Sequence, residues 1–263
     1  MTSAAPAGAA PPWLRALAKN AERMTVPPPL QPPASGTARP SAVLVLFGET
    51  AGEPDLLIVQ RSPWLRRHAG QPAFPGGAIE AADHGPVGAA LREAAEEAGV
   101  DPEGVEVLAV LPELYISRSG FSVTPVLAWW RRPVPVVAAA DGEVTAAVRV
   151  RLADLADPVN RLRVRHPSGP AGPAFRVHSM LVWGFTALLV DRLLALGGWE
   201  RPWDTGHTED LPPRRAGIIR PRLGHPGRTR VGGAGRWAMG WASWCAQVKR
   251  PYTVGRCPVT CWT

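Results

Sequence analysis

RSPWLRRHAGQPAFPGGAIEAAD, residues 61–83, followed seven residues later by LREAAEEAGV, residues 91–100, is the stretch on which the fold turns. Its second part sets Glu93, Glu96 and Glu97 at offsets of zero, three and four, which a helix places on one face. Three like charges on one face repel unless something holds them there. Hard cations such as Mg²⁺ do so, because they bind carboxylate oxygens and are commonly shared with substrate phosphates. Leu91, Ala94, Ala95 and Ala98 interleave with the acids, so the segment reads as an amphipathic helix with its alanines toward a core. The same pattern also describes a solvated acidic face on which Arg92 and Glu96 form a weak i,i+4 pair.

Upstream, Pro75-Gly76-Gly77 marks a tight turn that lets backbones approach closely, ahead of a loop ending in Asp83. Turn, loop and acidic helix together resemble the Nudix box, G-x5-E-x7-R-E-U-x-E-E-x-G-U with U aliphatic. Gly77, Arg92-Glu93, Glu96-Glu97, Gly99 and Val100 match it. The first acid is Asp83 rather than Glu, eight residues rather than seven separate it from Arg92, and Ala94 stands where a larger aliphatic residue is usual. The preceding residues follow R-S-x3-R-x3-G-x3-F-P-G-G through Arg61, Ser62, Arg66, Gly70, Phe74, Pro75, Gly76 and Gly77, with His68 and Gln71 between them. That pattern resembles the coenzyme A pyrophosphatase branch of the Nudix hydrolases, whose box often carries an aspartate and one extra residue.

The resemblance implies an α/β fold, an α-β-α sandwich around a mixed β-sheet. It implies hydrolysis of the diphosphate of coenzyme A or a derivative to 3′,5′-ADP and 4′-phosphopantetheine or its acyl form. Mg²⁺ or Mn²⁺ is the expected cofactor, neutralising the diphosphate and lowering the pKa of a coordinated water. Glu93 and Glu97 are the foremost candidate ligands, with Glu96 a third ligand or a base. Arg92 is expected to hold the acidic helix in place; the alternative is a plain surface ion pair. Arg61, Ser62, Arg66, His68, Gly70, Gln71, Gly76 and Gly77 are the candidate substrate contacts. Arginine suits them because its planar fork binds phosphate oxygens in pairs, and coenzyme A carries a 3′-phosphate besides its diphosphate. An exposed basic loop is the plain alternative for Arg66-Arg67, and a structural hydrogen bond is that for His68. Glu143 lies before a strand, where several Nudix enzymes place a base, although Asp-Gly-Glu also reads as a turn. Another nucleoside diphosphate compound is the alternative substrate, since the box supplies chemistry and the rest of the fold supplies selectivity.

The 263 residues suffice for one domain of typical size with appendages. The formal charge of +7 is unevenly spread. Residues 213–263 hold ten Lys or Arg and no Asp or Glu, which leaves 19 basic against 22 acidic side chains in residues 1–212. All three cysteines (Cys245, Cys257, Cys261) fall in that tail, so neither a disulfide framework nor a zinc spacing emerges. The tail reads as a basic, disordered and unselected extension. Its Trp237, Trp241 and Trp244 among arginines leave a nucleic-acid-binding protein as the alternative of another class, although a small nucleotide, not nucleic acid, is the expected partner. The N-terminus lacks a secretory pattern, and the apolar run from Met180 to Val190 is too short to span a bilayer. A cytoplasmic protein with no membrane partner is expected.

Along the chain, residues 1–40 form a Pro/Ala-rich segment with a short helix near 13–24, and the folded domain, 41–212, is expected to start with the apolar run 41–47. Further strands are expected at 55–60, 105–111, 121–130 and 144–150, with a short helix at 152–155. Residues 161–164 and 175–177 suggest a hairpin. The apolar residues of 180–196 fit a helix stopped by Gly197-Gly198.

Overall fold

A computed structural model describes residues 8–34, 36–65, 68–138, 142–167 and 169–211. The expectations for Arg66, for Arg67 and for the tail 213–263 lie outside the described residues. Helix α1 (Pro12–Glu22) leads into β1 (Arg39–Thr50) and β2 (Glu53–Arg61). These two strands form a hairpin with Thr50 opposite Glu53. Ala51 and Gly52 both have positive φ, the geometry that matches the twist of paired strands. Short β3 (Pro72–Ala73) and β4 (Gly76–Ala78) precede α2 (Pro86–Ala98). Then come β5 (Val105–Val110), β6 (Leu114–Ile116), β7 (Phe121–Trp130), β8 (Val144–Arg151) and α3 (Leu152–Ala156). The chain continues through β9 (Arg161–Arg165), β10 (Ala171–Val177), β11 (Met180–Val182), α4 (Gly184–Leu196) and β12 (Thr208–Asp210).

The larger sheet runs β3-β2-β1-β7-β5, with β4 on β1, β6 on β7 and β8 on β2. It is mixed because β1 and β7 pair in parallel while the hairpin partners are antiparallel. Alternation in β1 divides the core. Ala42, Leu44 and Leu46 point toward Ala89, Ala90, Ala94 and Ala98 of α2. Val45 and Phe47 point the other way, into a core shared with Leu14 and Leu17 of α1 and Leu188, Leu189 and Leu193 of α4. Helices therefore cover both faces, the expected α-β-α sandwich. A smaller sheet, β11-β10-β9-β12, extends it. Arg161 of β9 is buried, pairs with Asp191 of α4 and stacks over Trp203 at 4.6 Å, tying this sheet to the helix. No helix among the described residues is long and apolar enough to cross a membrane.

Two expectations are corrected. Met180–Val182 is a strand, not the start of a helix, because it pairs back onto β10 through His178 and Ser179, both with positive φ. Helix α4 begins only at Gly184. Folded chain also starts upstream of Ser41: the amphipathic face of α1 buries Leu14, Leu17 and Ala21 completely against the sheet.

Candidate active site

Helix α2 carries the acids. Pro86 at its first turn is preset for helical φ, and Gly99 at its end is left-handed, with its amide bonded to the Ala95 carbonyl. Its buried Ala89, Ala90, Ala94 and Ala98 let the helix sit close on β1. A bulkier side chain at Ala94 has no room, since that residue is fully enclosed. The opposite stripe carries Glu93, Glu96 and Glu97, of which Glu93 and Glu97 meet the turn of Gly76 and Gly77.

The two glycines serve different neighbours. A Cβ on Gly76 would lie 2.4 Å from the Ala42 carbonyl oxygen and 2.7 Å from Val43 Cα, so glycine there lets β4 lie against β1. A Cβ on Gly77 would instead meet Glu93 Oε1 at 2.1 Å. Glycine at this position is thus what allows the Glu93 carboxylate to rest on the turn. The amide of Gly76 donates to Glu97 Oε2 at 3.1 Å, and Arg61 Nη1 donates to Glu97 Oε1 at 3.0 Å. Glu97 is 6% exposed, and burial outweighs both partners, pushing its carboxyl up to about 7. Burial also raises Glu93, against the pull of Arg92. Glu96 is the most open of the three.

Arg92 is the centre of an ion-pair network. Its Nε and Nη2 donate to the two oxygens of buried Asp83 at 2.7 and 3.1 Å. Its Nη1 reaches Glu93 and Glu96 at 3.0 Å each, and Nη2 also meets the Ala78 carbonyl at 3.3 Å. The i,i+4 pair with Glu96 exists, yet it is one arm of a guanidinium that spans the loop and the helix. Asp83 in turn receives the Glu80 amide at 2.7 Å inside a single turn of 3-10 helix. Its role as the anchor of Arg92 was not read from the sequence. The signal available was its place as the first acid of the box pattern.

The upstream residues form a loop closed at its base. Arg61 N bonds the Gln71 carbonyl, Gly70 N bonds the Ser62 carbonyl, and Gln60 Nε2 also reaches the Gly70 carbonyl. Ser62 is buried, and its amide bonds the Glu143 carbonyl at 2.7 Å, so it supports the loop rather than facing outward. His68 and Gly70 take positive φ, and His68 Nδ1 lies 2.9 Å from Gln71 Oε1. Glu143 lies close to the acidic helix: its Oε2 is 3.7 Å from Arg61 Nη2, and its charge adds to the upward shift of Glu97.

Five carboxylates (Asp83, Glu93, Glu96, Glu97, Glu143) therefore meet two described guanidiniums, Arg61 and Arg92. Among the described residues no three acidic, histidine or cysteine side chains already converge as a metal cluster; Arg61 engages Glu97, and Arg92 engages Glu93. The donor set nonetheless fits a hard divalent cation. All the candidate donors are carboxylate oxygens, and burial disfavours the ionised forms of Glu93 and Glu97, a penalty that a bound divalent cation would offset.

This arrangement, a close Gly-Gly turn facing an arginine-braced acidic helix on a mixed sheet, agrees with the comparison with known families. The chain belongs to the Nudix family, whose pattern, described as NUDIX domain, matches residues 37–170. It is a Nudix hydrolase, of a family that cleaves pyrophosphate bonds in nucleoside diphosphate derivatives and generally uses divalent cations. Among its relatives is a protein named Uncharacterized Nudix hydrolase NudL from Klebsiella pneumoniae, 43% identical over 171 residues, covering 62% of this chain and 85% of that protein. A protein of the same name from Escherichia coli is 40% identical over 148 residues, covering 54% of this chain and 74% of its own length. The solved Nudix hydrolase RenU from M. smegmatis superposes with a TM-score of 0.45 at 21% identity, over 64% of this chain and 90% of that one.

Proposed function

We propose that this enzyme hydrolyses the diphosphate linkage of coenzyme A or its derivatives, giving 3′,5′-ADP and 4′-phosphopantetheine or its acyl form. The observation that carries this reading is the convergence of both ends of the R-S-x3-R-x3-G-x3-F-P-G-G run on one carboxylate. Arg61 opens the run and Gly76 nearly closes it, and both bond to Glu97. The run specific to the coenzyme A branch is thereby built into the same site as the acids shared by all Nudix enzymes.

Glu93, Glu96 and Glu97 would hold Mg²⁺ or Mn²⁺, which when bound supplies positive charge to the diphosphate and acidity to a coordinated water. The protein's own residues do the rest. Arg92 fixes Glu93 and Glu96 against the loop anchored by Asp83. Arg61 neutralises Glu97 and presents its remaining donors to a phosphate. Arg66, His68, Gly70 and Gln71 contribute the upstream loop to the substrate, and Ser62 holds its base. In the reaction a water oxygen bonds to phosphorus, the bridging P–O bond breaks, and the water proton passes to a carboxylate. Glu96, open to solvent, and Glu143, beside Arg61, are the two bases in reach of this site.

Steady-state turnover of coenzyme A, NADH, ADP-ribose and dNTPs tests the reading. Coenzyme A is expected to give the highest kcat/KM. Equal or better turnover of ADP-ribose or dNTPs would move the substrate to another nucleoside diphosphate compound. Inertness toward the whole panel, with binding of nucleic acid, would support the alternative in which the basic tail is the functional part.

A further inference from the structure

Trp64 leaves 61% of its surface exposed. The six other tryptophans of the described residues are buried or stacked. Trp129 and Trp130 lie in the core, Trp13 meets Phe47 and Trp199 edge-on, Trp183 stacks on His166, and Trp203 lies under Arg161. An exposed indole costs hydration free energy unless it has a further use.

Its backbone is nonetheless held in place. Leu65 N bonds the Ser62 carbonyl at 3.3 Å, closing a turn in which Trp64 occupies the third position. Trp64 N itself approaches the hydroxyl of buried Ser62 at 3.4 Å. Ser62 is fixed in turn through its amide to Glu143. Trp64 lies three positions beyond Arg61, a reach of at most about 10 Å, and Arg61 touches Glu97 in the site. A flat aromatic face therefore stands on a braced turn at the rim of the acidic site. Trp64 also falls at one of the positions that the R-S-x3-R pattern leaves open, so the pattern does not require it.

We infer that Trp64 is the stacking platform for the purine base of the substrate's nucleotide half. A nucleoside diphosphate presents its base one sugar away from its phosphates, so diphosphate at the acids brings the base to this rim. Every base has a π-face, and stacking on an exposed aromatic ring is a large and sequence-tolerant source of affinity. The inference rests on the substrate being a nucleoside diphosphate compound, and not on its being coenzyme A.

Calorimetric titration of the full chain with ADP, and with methylenediphosphonate as a base-free diphosphate, tests it in the presence of Mg²⁺. Trp64→Ala is expected to weaken ADP about 5- to 100-fold while methylenediphosphonate changes less than about twofold, and Trp64→Phe is expected to recover most of the loss. In turnover, Trp64→Ala should raise KM with little change in kcat. Unaltered ADP affinity in Trp64→Ala, equal loss for both probes, or a wild-type chain that does not bind ADP would overturn the assignment. If ADP-ribose but not coenzyme A is cleaved while the ADP result stands, the coenzyme A reading fails and the base platform survives. If coenzyme A is cleaved and Trp64→Ala binds ADP normally, only the platform fails.

Discussion

Arg92 grips Asp83 with two parallel hydrogen bonds, Nε to Oδ1 at 2.7 Å and Nη2 to Oδ2 at 3.1 Å. The bond to Arg92 is the main cause holding the Asp83 carboxyl below its ordinary range, with the Glu80 amide second. The same guanidinium bonds Glu93 and Glu96, so one side chain links the loop's anchor to the acidic face. A planar fork suits this task and an ammonium does not.

Arg92→Lys is accordingly expected to lower kcat about 10- to 100-fold, the scale that misplaced catalytic groups produce. Asp83→Asn should lower it by a similar factor even though buried Asp83 is neither a proposed metal ligand nor a proposed substrate contact. Because both act through one contact, the double variant should be little worse than either single one. Steady-state kinetics on the three proteins check this. Additive losses would show that Arg92 and Asp83 work independently.

The Gly-Gly turn separates folding from chemistry. Gly76→Ala drives a methyl into the backbone of β1 and is expected to lower the melting temperature markedly. Gly77→Ala meets only the carboxylate end of the Glu93 side chain and no backbone, so it should largely keep the melting temperature and reduce kcat at least about tenfold. Paired melting and turnover measurements decide; equal thermal losses in the two variants would contradict this division.

Much of this was legible in sequence because local pattern and tertiary role agree. The run 41–47 alternates between two cores, and the alanines of α2 share one face and the acids the other. What escaped depends on partners distant in sequence. Met180–Val182 continues an apolar run into α4 with no break in pattern; only pairing with Phe175–Val177 makes it a strand. The packing of α1 could not be read from a Pro/Ala-rich segment, since its partners Phe47 and Trp199 lie 34 and 186 residues beyond Trp13. At the site, residue types and spacing exposed the acids and arginines, but not that Asp83 and Arg92 meet across a left-handed turn at His84. Nor did they show that Glu97 is buried between Arg61 and Gly76.

Asp191 gives a pH signature to the fold. Burial beside Arg161 pushes its carboxyl up to about 6, offset in part by that arginine and reinforced by Glu200. An unfolded aspartate ionises near pH ~4. Between these values the folded chain holds a proton that the unfolded chain has released. Stability from this group is therefore complete below about pH 4 and declines as pH rises through about 6. Relative to Asp191→Asn, the wild-type melting temperature should fall between about pH 4 and 6 and level off above that. Parallel profiles for the two proteins would contradict the raised carboxyl.

Residues 213–263, with ten positive side chains and no negative ones, are expected to be dispensable for the enzyme. A chain ending at Pro212 should keep its melting temperature, kcat and KM, and aggregate less because four tryptophans and three thiols leave with the tail. Side-by-side melting and kinetics test this. A large fall in either would show that the tail packs on the domain.

Product identification by mass spectrometry, on coenzyme A incubated with wild-type and Glu97→Gln enzyme and Mg²⁺ or Mn²⁺, tests the central claim most directly. The wild type is expected to give equimolar 3′,5′-ADP and 4′-phosphopantetheine. Glu97→Gln is expected to lose several orders of magnitude in rate, each tenfold corresponding to ~1.4 kcal/mol of barrier. Intact coenzyme A with the wild type, or undiminished cleavage by Glu97→Gln, would contradict it.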